Sequence, residues 1–357
     1  MKNTIIEDKI YSWVLGGAIG DAMWAPTEML TQEEIIEKYD GRVTDYQPTK
    51  ENGFFKRLEF PLEGGWYVTD DTILSMSLMK SYSQKWELDL LDILETSWQD
   101  YENFPYGFGG ATRYGLERVV VKWKDPSVSG KTNGAGNGVI MKQFPLAVIH
   151  HVHNIPQEQR DKFIEEYTRA THNSNIAVVG SILHDKFLTE LLEYPAGNLD
   201  VVSLLFRLKD FIIPYEEKYL DAATMYSSIL DTLTERVDVM FNALDMTDEE
   251  ILDVFGWKAE EWDSKIKYRK IIFKSGYVVT SLAIVYALFL RKPDTFDAIV
   301  DAVNIGWDTD SYAAMVGNMV WAYTWQSYAD QYINGLQSKD EIVWCTKGFI
   351  STLFAHD

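Results

Sequence analysis

Helix-type spacing of apolar residues runs along almost all of this 357-residue chain, and it limits the fold more than any other feature. Apolar side chains recur every three or four residues, and no segment has the convincing apolar–polar alternation of a half-buried strand. The spacing predicts helices over residues 5–22, 71–83, 88–101, 138–151, 157–170, 175–194, 216–244, 277–290, 295–303, 311–323 and 340–354. We therefore expect an all-α fold, an orthogonal bundle of helices.

The same chain contains enough apolar material for a sizeable core, with 46% hydrophobic residues. It has no Pro/Ser-rich or Gly/Ser-rich linker, no repeat and no low-complexity stretch, so we predict a single domain over residues 1–357. The apolar stretch 276–290 is shorter than the roughly 20 residues that a membrane span needs, and we expect it to be a buried core helix. Residues 39–66 and 104–110, rich in Gly, Pro and aromatics, are predicted loops.

Two short acidic clusters stand at the start of predicted helices near opposite ends of the chain. Each alternates or pairs carboxylates with hydroxyls: Thr69-Asp70-Asp71-Thr72 and Asp308-Thr309-Asp310-Ser311. Taken singly, each is a plausible helix N-cap. Should the two clusters meet, they would supply four carboxylates and several hydroxyl oxygens, the ligands that hard divalent cations prefer. Four carboxylates at one place would repel one another strongly unless a cation compensated their charge. A metal site is therefore the second interpretation.

Six motifs, in order along the chain, resemble those of the ADP-ribosylglycohydrolases. They are G-G-A-I-G-D-A-M-W-A-P-T-E over 16–28, T-D-D-T over 69–72, G-N-G-V-I-M-K-Q-F-P-L over 136–146, T-H over 171–172, G-Y-V-V over 276–279 and G-W-D-T-D-S over 306–311. The chain departs from the family pattern in four places. Trp24 and Trp307 replace glycines, and Lys142 replaces an arginine, which turns a bidentate contact into a point charge. Gly134-Ala135 stand before G-N-G where some members have Ser-Tyr.

The resemblance implies the all-α fold of that family and a site with two Mg²⁺ or Mn²⁺ ions. The implied metal ligands are Thr69, Asp70, Asp71, Asp308, Asp310 and Ser311, and Asp70 and Asp310 are also counted as catalytic. Glu28, from the P-x-E of the first motif, is the candidate that orients or deprotonates the attacking water. Asp21 is expected to cap a helix or to hold the loop around the site.

Residues for binding the ADP-ribose moiety follow from the same resemblance. Backbone amides of Gly134, Gly136, Asn137 and Gly138 would approach a diphosphate or ribose closely at a helix start, although ordinary flexible glycines are the alternative. His172 is expected near the distal ribose, and a single histidine is otherwise more often structural. Tyr106, among other loop aromatics, is a candidate for stacking on adenine.

The resulting functional prediction is a hydrolase that removes ADP-ribose from a modified protein side chain, with arginine as the first choice of acceptor. An immunity-type protein that occludes an ADP-ribosyltransferase toxin is the alternative, with or without hydrolysis. A relative that has lost catalysis and a hydrolase of small ADP-ribosylated metabolites are weaker ones.

Charge and cysteine content limit the partners and the compartment. A formal net charge of −21 argues against non-specific binding to nucleic acid or to an anionic membrane, so a protein partner is expected to be basic, such as a transferase. Cys345 is the only cysteine, which excludes an intramolecular disulfide and a cysteine-based zinc site. These features predict a cytoplasmic protein.

Overall fold

The computed structural model describes residues 2–24, 26–47, 67–105, 107–219, 232–256, 276–324, 330–336 and 338–355. Helices dominate these residues, which confirms the predicted all-α class. Among them, no helix is both long and apolar enough to cross a bilayer. The β-structure of these residues is limited to two two-residue strands and to isolated bridge residues, among them the bridge between Gly136 and Tyr277.

The first part of the chain, residues 2–139, is mostly helical. They are α1 (Lys2–Met23), α2 (Gln32–Tyr39), α3 (Asp70–Lys85), α4 (Leu90–Asn103), α5 (Gly110–Leu116), a π-helical turn (Glu117–Val121), α6 (Pro126–Ser129), β1 (Lys131–Thr132) and a 3₁₀ turn (Asn137–Val139).

The rest of the chain is again helical apart from one short strand. Its elements are α7 (Phe144–Val152), α8 (Gln157–Thr171), β2 (His172–Asn173), α9 (Asn175–Glu193), α10 (Val201–Tyr219), α11 (Leu233–Ala243), α12 (Asp248–Phe255), α13 (Val278–Arg291), α14 (Asp297–Asn304), α15 (Thr309–Thr324), α16 (Asp330–Gly335) and α17 (Lys339–Leu353). β1 and β2 pair in parallel, with Lys131 opposite His172.

The centre of the fold is the crossing of α1 and α15, which pack together along most of their lengths. Their backbones approach so closely that a Cβ on Gly20 would lie 2.0 Å from the carbonyl oxygen of Ala313. Trp13 and Trp321 are fully buried beside this crossing. Helix α13 is buried along its whole length except Arg291, as predicted for the apolar stretch 276–290.

The predicted helix 138–151 is wrong in its first half. The chain makes a 3₁₀ turn at Asn137–Val139, and α7 begins only at Phe144. Pro145 lies in the first turn of α7, where its missing N–H costs nothing. A helix that ran through residue 141 would bring the Pro145 ring against the carbonyl of Met141.

The predicted long helix 216–244 is also wrong, because Thr232 is an extended N-cap and interrupts it; residues 220–231 lie outside the described residues. Helix α10 starts earlier, at Val201, and continues through Pro214 to Tyr219, so the proline does not mark a helix start. A separate helix, α11, begins at Leu233 because Thr232 and Glu235 form a reciprocal capping box that satisfies the free N–H groups. Several short helices that the spacing did not predict, α2, α5, α6, α12 and α16, fill the connections between the longer ones.

Candidate active site

The N-terminus of α3 is capped by a carboxylate from another helix. Asp21 of α1 is fully buried and accepts hydrogen bonds from the backbone N–H of Thr69 at 2.9 Å and of Thr72 at 3.2 Å. It also accepts the hydroxyls of Thr69 at 2.8 Å and Thr72 at 2.6 Å. The Thr69 side chain itself makes no capping bond. The carboxylates of Asp70 and Asp71 are therefore left for other partners.

The N-terminus of α15 is likewise capped by a carboxylate from outside the helix. Glu28 is buried, and its Oε2 accepts the N–H of Thr309 at 3.1 Å and its hydroxyl at 3.3 Å. The loop that carries Glu28 is tied to the residues before α15 by two backbone bonds, Met29 N–H to Trp307 O and Trp307 N–H to Leu30 O, both 2.8 Å. These bonds place Glu28 directly against the second acidic cluster.

The two acidic clusters share one site. One carboxylate oxygen from each of Glu28, Asp308 and Asp310 lies within 4.8 Å of the others, the spacing expected of cation ligands. Burial raises the pKa of Asp310 well above its ordinary value, and the charges of Glu28, Asp308 and Asp71 raise it further. Burial and the charge of Asp308 likewise raise the pKa of Glu28. The carboxylate of Glu28 therefore repels those of Asp308 and Asp310, which lie almost 300 positions away in the chain.

Asp71 gives the strongest indication that the site suits a cation. Both oxygens of its carboxylate are buried and accept no hydrogen bond from the residues that the structure describes. Burial raises its pKa well above the ordinary value, and the charges of Asp21, Asp70, Asp308 and Glu28 add to the rise. A buried carboxylate with no donor is costly, whereas a hard cation would satisfy it. The donor set therefore fits a divalent metal site built only from oxygen ligands.

Asp70 lies under the loop that joins α4 to α5. The N–H of Gly109 donates to its Oδ2 at 3.3 Å, and a Cβ on Gly107 would lie 3.0 Å from its Oδ1. Burial raises the pKa of Asp70 to about 7. Lys142, itself buried, is the opposing cation, and its ammonium lies 4.7 Å from the centre of the Tyr167 ring. Tyr106, the predicted adenine-stacking residue in this loop, lies outside the described residues.

Asn137 links the glycine-rich segment to the acidic clusters, because its side-chain amide donates to Oδ2 of Asp308 at 2.7 Å. Two of the backbone amides that were candidates for anion binding have internal partners. Gly134 N–H donates to Lys131 O at 2.8 Å, and Asn137 N–H donates to Gly276 O at 2.7 Å. The backbone around Gly136 and Gly138 is therefore the part of this segment that could approach a ligand closely.

His172 is buried beneath this segment. A Cβ on Gly136 would lie 3.3 Å from its Nε2, and one on Gly138 would lie 3.2 Å from its Cε1. Burial, aided by the charge of Lys142, lowers the pKa of His172 to about 3, so the ring is neutral at pH 7. The structure thus brings His172, Gly136 and Gly138 together, and a side chain at either glycine would require the imidazole to shift slightly.

The remaining predicted ligands have contacts of their own. The Ser311 hydroxyl lies 3.6 Å from Sδ of Met141, and the Thr69 hydroxyl donates to Asp21. Sequence reasoning placed Glu28 outside the metal ligands, whereas the structure groups it with Asp308 and Asp310. It also missed the contribution of the Gly107–Gly109 backbone to Asp70. The glycines of that loop were the only available signal.

The chain is similar to a protein family, to two known proteins and to a solved structure. A family model described as ADP-ribosylglycohydrolase matches residues 2–342. The chain is similar to ADP-ribosyl-[dinitrogen reductase] glycohydrolase of Rhodospirillum rubrum, with 27% identity over 65% of this chain and 74% of that protein. It is also similar to an uncharacterized protein of Archaeoglobus fulgidus, with 24% identity over 94% and 93% of the two chains. A solved ADP-ribosylglycohydrolase-related protein complex contains a similarly folded chain, with TM-score 0.60, 21% identity and coverage of 98% and 100%.

Proposed function

Because this chain belongs to the ADP-ribosylglycohydrolase family, we propose that it is a metal-dependent hydrolase that removes ADP-ribose from a modified protein side chain, with arginine as the first acceptor to test. The relative from Rhodospirillum rubrum is named as a glycohydrolase of an ADP-ribosylated protein, which supports this class of substrate. The observation that carries the proposal is the unpartnered, buried carboxylate of Asp71 among Glu28, Asp308 and Asp310.

The carboxylates of Asp70, Asp71, Asp308 and Asp310 would hold two divalent cations, Mg²⁺ or Mn²⁺, together with the hydroxyls of Thr69 and Ser311. When bound, such cations supply positive charge for the oxygens of the reacting sugar and acidify water. The ligand set contains no thiolate or imidazole, which disfavours zinc. Asp21 would keep the α3 end of this set in place, because it accepts the hydroxyl of Thr69 and the N–H of both Thr69 and Thr72.

Glu28 is the proposed base. Its raised pKa makes it a better proton acceptor than an exposed glutamate, and its bonds to Thr309 fix the carboxylate in one orientation. A water molecule deprotonated by Glu28 would attack the anomeric carbon of the ribose as the bond to the acceptor breaks. The sugar would have oxocarbenium character in the transition state.

The glycine-rich segment and Lys142 form the proposed anion-binding side. Backbone at Gly136 and Gly138 would approach the diphosphate or ribose, and neutral His172 beneath it would offer a hydrogen bond without adding charge. Lys142 would contribute one positive point charge near Asp70.

The test is release of free ADP-ribose from a protein modified on arginine, measured with Mg²⁺, with excess chelator and with chelator followed by Mn²⁺. We expect release that chelator abolishes and that either cation restores. The variant Asp71→Asn should release no ADP-ribose. Asp200→Asn is the matched control, because Asp200 caps α10 by accepting the N–H of Ser203 at 3.0 Å and asparagine caps helices equally well.

Full activity in excess chelator would contradict the metal-dependent mechanism. Release from a peptide modified on serine but not on arginine would change the acceptor and leave the class of hydrolase intact.

A further inference from the structure

Residues 110–131, called here the basic rim, reverse the charge of the rest of the molecule. The whole chain has 33 Lys and Arg against 54 Asp and Glu. Within the basic rim the balance is five against two: Arg113, Arg118, Lys122, Lys124 and Lys131 face only Glu117 and Asp125. Such a local excess of cations in a strongly acidic protein creates a surface of opposite potential.

Exposed aromatic and apolar side chains lie among these cations. Trp123 is 82% exposed, and Val128, Val121 and Tyr114 are 56%, 51% and 40% exposed. The guanidinium carbon of Arg118 lies 5.2 Å from the centre of the Tyr114 ring, which holds both side chains on the surface. Large aromatics with arginine are the residues that dominate binding at protein interfaces.

The cations of the basic rim are mostly free to meet an anionic partner. Lys122 is paired with Glu117 at 2.8 Å. Arg113, Lys124 and Lys131 have no carboxylate within 4.0 Å in the part of the chain that the structure describes. Trp123 adopts a φ of +53°, which is unusual for a bulky residue and fixes the turn between Lys122 and Lys124.

The basic rim borders the acidic cluster that contains Asp70 and the glycine-rich segment around Gly136 and Gly138. It starts directly after Gly109, whose N–H donates to Asp70. Thr112 lies against the glycine-rich segment, since a Cβ on Gly138 would be 3.2 Å from its hydroxyl. It ends at Lys131, which pairs with His172 between β1 and β2. A macromolecule bound at the basic rim would therefore adjoin the proposed catalytic cleft.

We propose that the basic rim docks an acidic surface of the ADP-ribosylated target protein, an inference that rests on the proposed hydrolase function. The cations would steer an acidic target towards the cleft, and Trp123 and Tyr114 would supply buried contact area in the complex. This reverses the sequence-based expectation of a basic partner, because the basic rim, and not the net charge, is what borders the site.

A protein fits better than a nucleic acid. The basic rim is short and contains Glu117 and Asp125, and the remaining surface of a chain with net charge −21 would repel a long polyanion.

The experiment compares three substrates: two peptides that carry one ADP-ribosylated arginine, flanked by Glu in one and by Lys in the other, and ADP-ribosylarginine itself. The variants are Lys122→Glu/Lys124→Glu and Trp123→Ala. The control is Lys339→Glu/Lys347→Glu on α17, which changes the net charge equally outside the basic rim. The wild type should prefer the Glu-flanked peptide by about tenfold in kcat/KM at low salt.

The Lys122→Glu/Lys124→Glu variant should lose or invert this preference, Trp123→Ala should reduce kcat/KM on the Glu-flanked peptide, and all variants should hydrolyse ADP-ribosylarginine at the wild-type rate. Equal wild-type kcat/KM on the two peptides, or the same loss in the control variant, would overturn the docking proposal while leaving the hydrolase intact.

Failure of the wild type on all three substrates would instead refute the arginine hydrolase, and anisotropy of a fluorescent Glu-rich peptide without ADP-ribose would then decide docking by itself. A labelled single-stranded oligonucleotide is the competing probe. If it bound more tightly than the Glu-rich peptide, and the Lys122→Glu/Lys124→Glu variant lost that binding, the acidic-protein assignment would be wrong.

Discussion

Asp21 and Glu28 lie seven residues apart, and each accepts hydrogen bonds from the first turn of a different helix. Helix N-termini present unsatisfied N–H groups and a partial positive charge, so a carboxylate supplied from outside stabilises both. Because the caps come from elsewhere, the carboxylates of the first turns need not act as caps. The cap and ligand interpretations of the acidic clusters are thereby reconciled.

Two tryptophans that depart from the family pattern have different consequences. Trp24 contributes to the site, since its indole N–H donates to Asp21 at 3.1 Å. Trp307 has a φ of +69°, in the left-handed region that glycine adopts without strain. The two backbone bonds between Trp307 and the Glu28 loop hold it in this conformation.

The role of Glu28 as a base is tested by Glu28→Gln. Glutamine keeps the size and can still accept the N–H of Thr309, but it cannot take a proton. We expect single-turnover hydrolysis to fall by roughly 10²–10⁴-fold, the usual worth of a positioned base. ADP-ribose binding, followed by calorimetry, should persist. Glu34→Gln in the exposed capping box of α2 is the control.

Unchanged hydrolysis in Glu28→Gln would remove Glu28 from the mechanism. Lost hydrolysis combined with full protection against an ADP-ribosyltransferase would reveal a separate occluding function.

At the level of elements, the crossing of α1 and α15 sets the geometry of the acid cluster. Gly16 and Gly317 approach so closely that a Cβ on either would lie within 2.4 Å of the other's carbonyl oxygen. Asp21 follows this contact on α1, and Asp308 and Asp310 lie at the start of α15. A change in the helix separation would therefore move these carboxylates relative to one another.

Gly20→Ala tests this coupling. The new methyl would meet the Ala313 backbone at 2.0 Å, so the helices must separate. We expect the free energy of unfolding to fall by about 2 kcal/mol or more, by overpacking, together with weaker Mg²⁺ binding. Gly348→Ala in α17 is the matched control, since a Cβ there meets nothing within 4 Å and should stabilise the helix by about 0.5–1 kcal/mol. Denaturant unfolding and calorimetry measure both effects.

A Gly20→Ala variant as stable as Gly348→Ala, with unchanged Mg²⁺ affinity, would show that the crossing can relax without moving the site.

For the whole molecule, the buried acids make the metal-free fold sensitive to pH. Asp70 has a pKa of about 7 in the folded protein against an ordinary 3.8, so between these values the folded state holds a proton that the unfolded state has lost. Its contribution to stability is present below about pH 4 and is lost as the pH rises through about 7. His172 and His184, with folded pKa values of about 3, oppose this trend only below their ordinary value of 6.5.

We therefore expect the metal-free protein to melt several degrees lower at pH 8.0 than at pH 6.5. Saturating Mg²⁺ should raise Tm more at pH 8.0, because the ligands must be deprotonated to bind it. A hundredfold excess over Kd adds about 2.7 kcal/mol. NaCl at equal ionic strength controls for screening of the net charge, and Asp71→Asn controls for the site. An equal Tm gain from NaCl, or a full Mg²⁺ response in Asp71→Asn, would contradict a specific cation site.

The sequence alone determined the fold class, most long helices and the residue types of the candidate site. Helical spacing follows from a local backbone repeat, and the motifs preserve the order of the residues that a family member needs. Helical spacing gave wrong helix boundaries where prolines and a capping box decided where a helix starts or continues. Pro145 delays α7, Pro214 lies inside α10, and the capping box of Thr232 starts a separate helix.

Only the tertiary structure decided which carboxylates lie together and which of them are already hydrogen-bonded. Asp21 meets Thr69 across 48 residues, and Glu28 meets Thr309 across 281. Contacts at such separations leave no periodic trace in the sequence, because they depend on how whole helices pack. The net charge of the chain hides the basic rim because it averages over all residues, although the excess of cations over residues 110–131 can be counted in the sequence. Only the structure shows that this segment borders the candidate site.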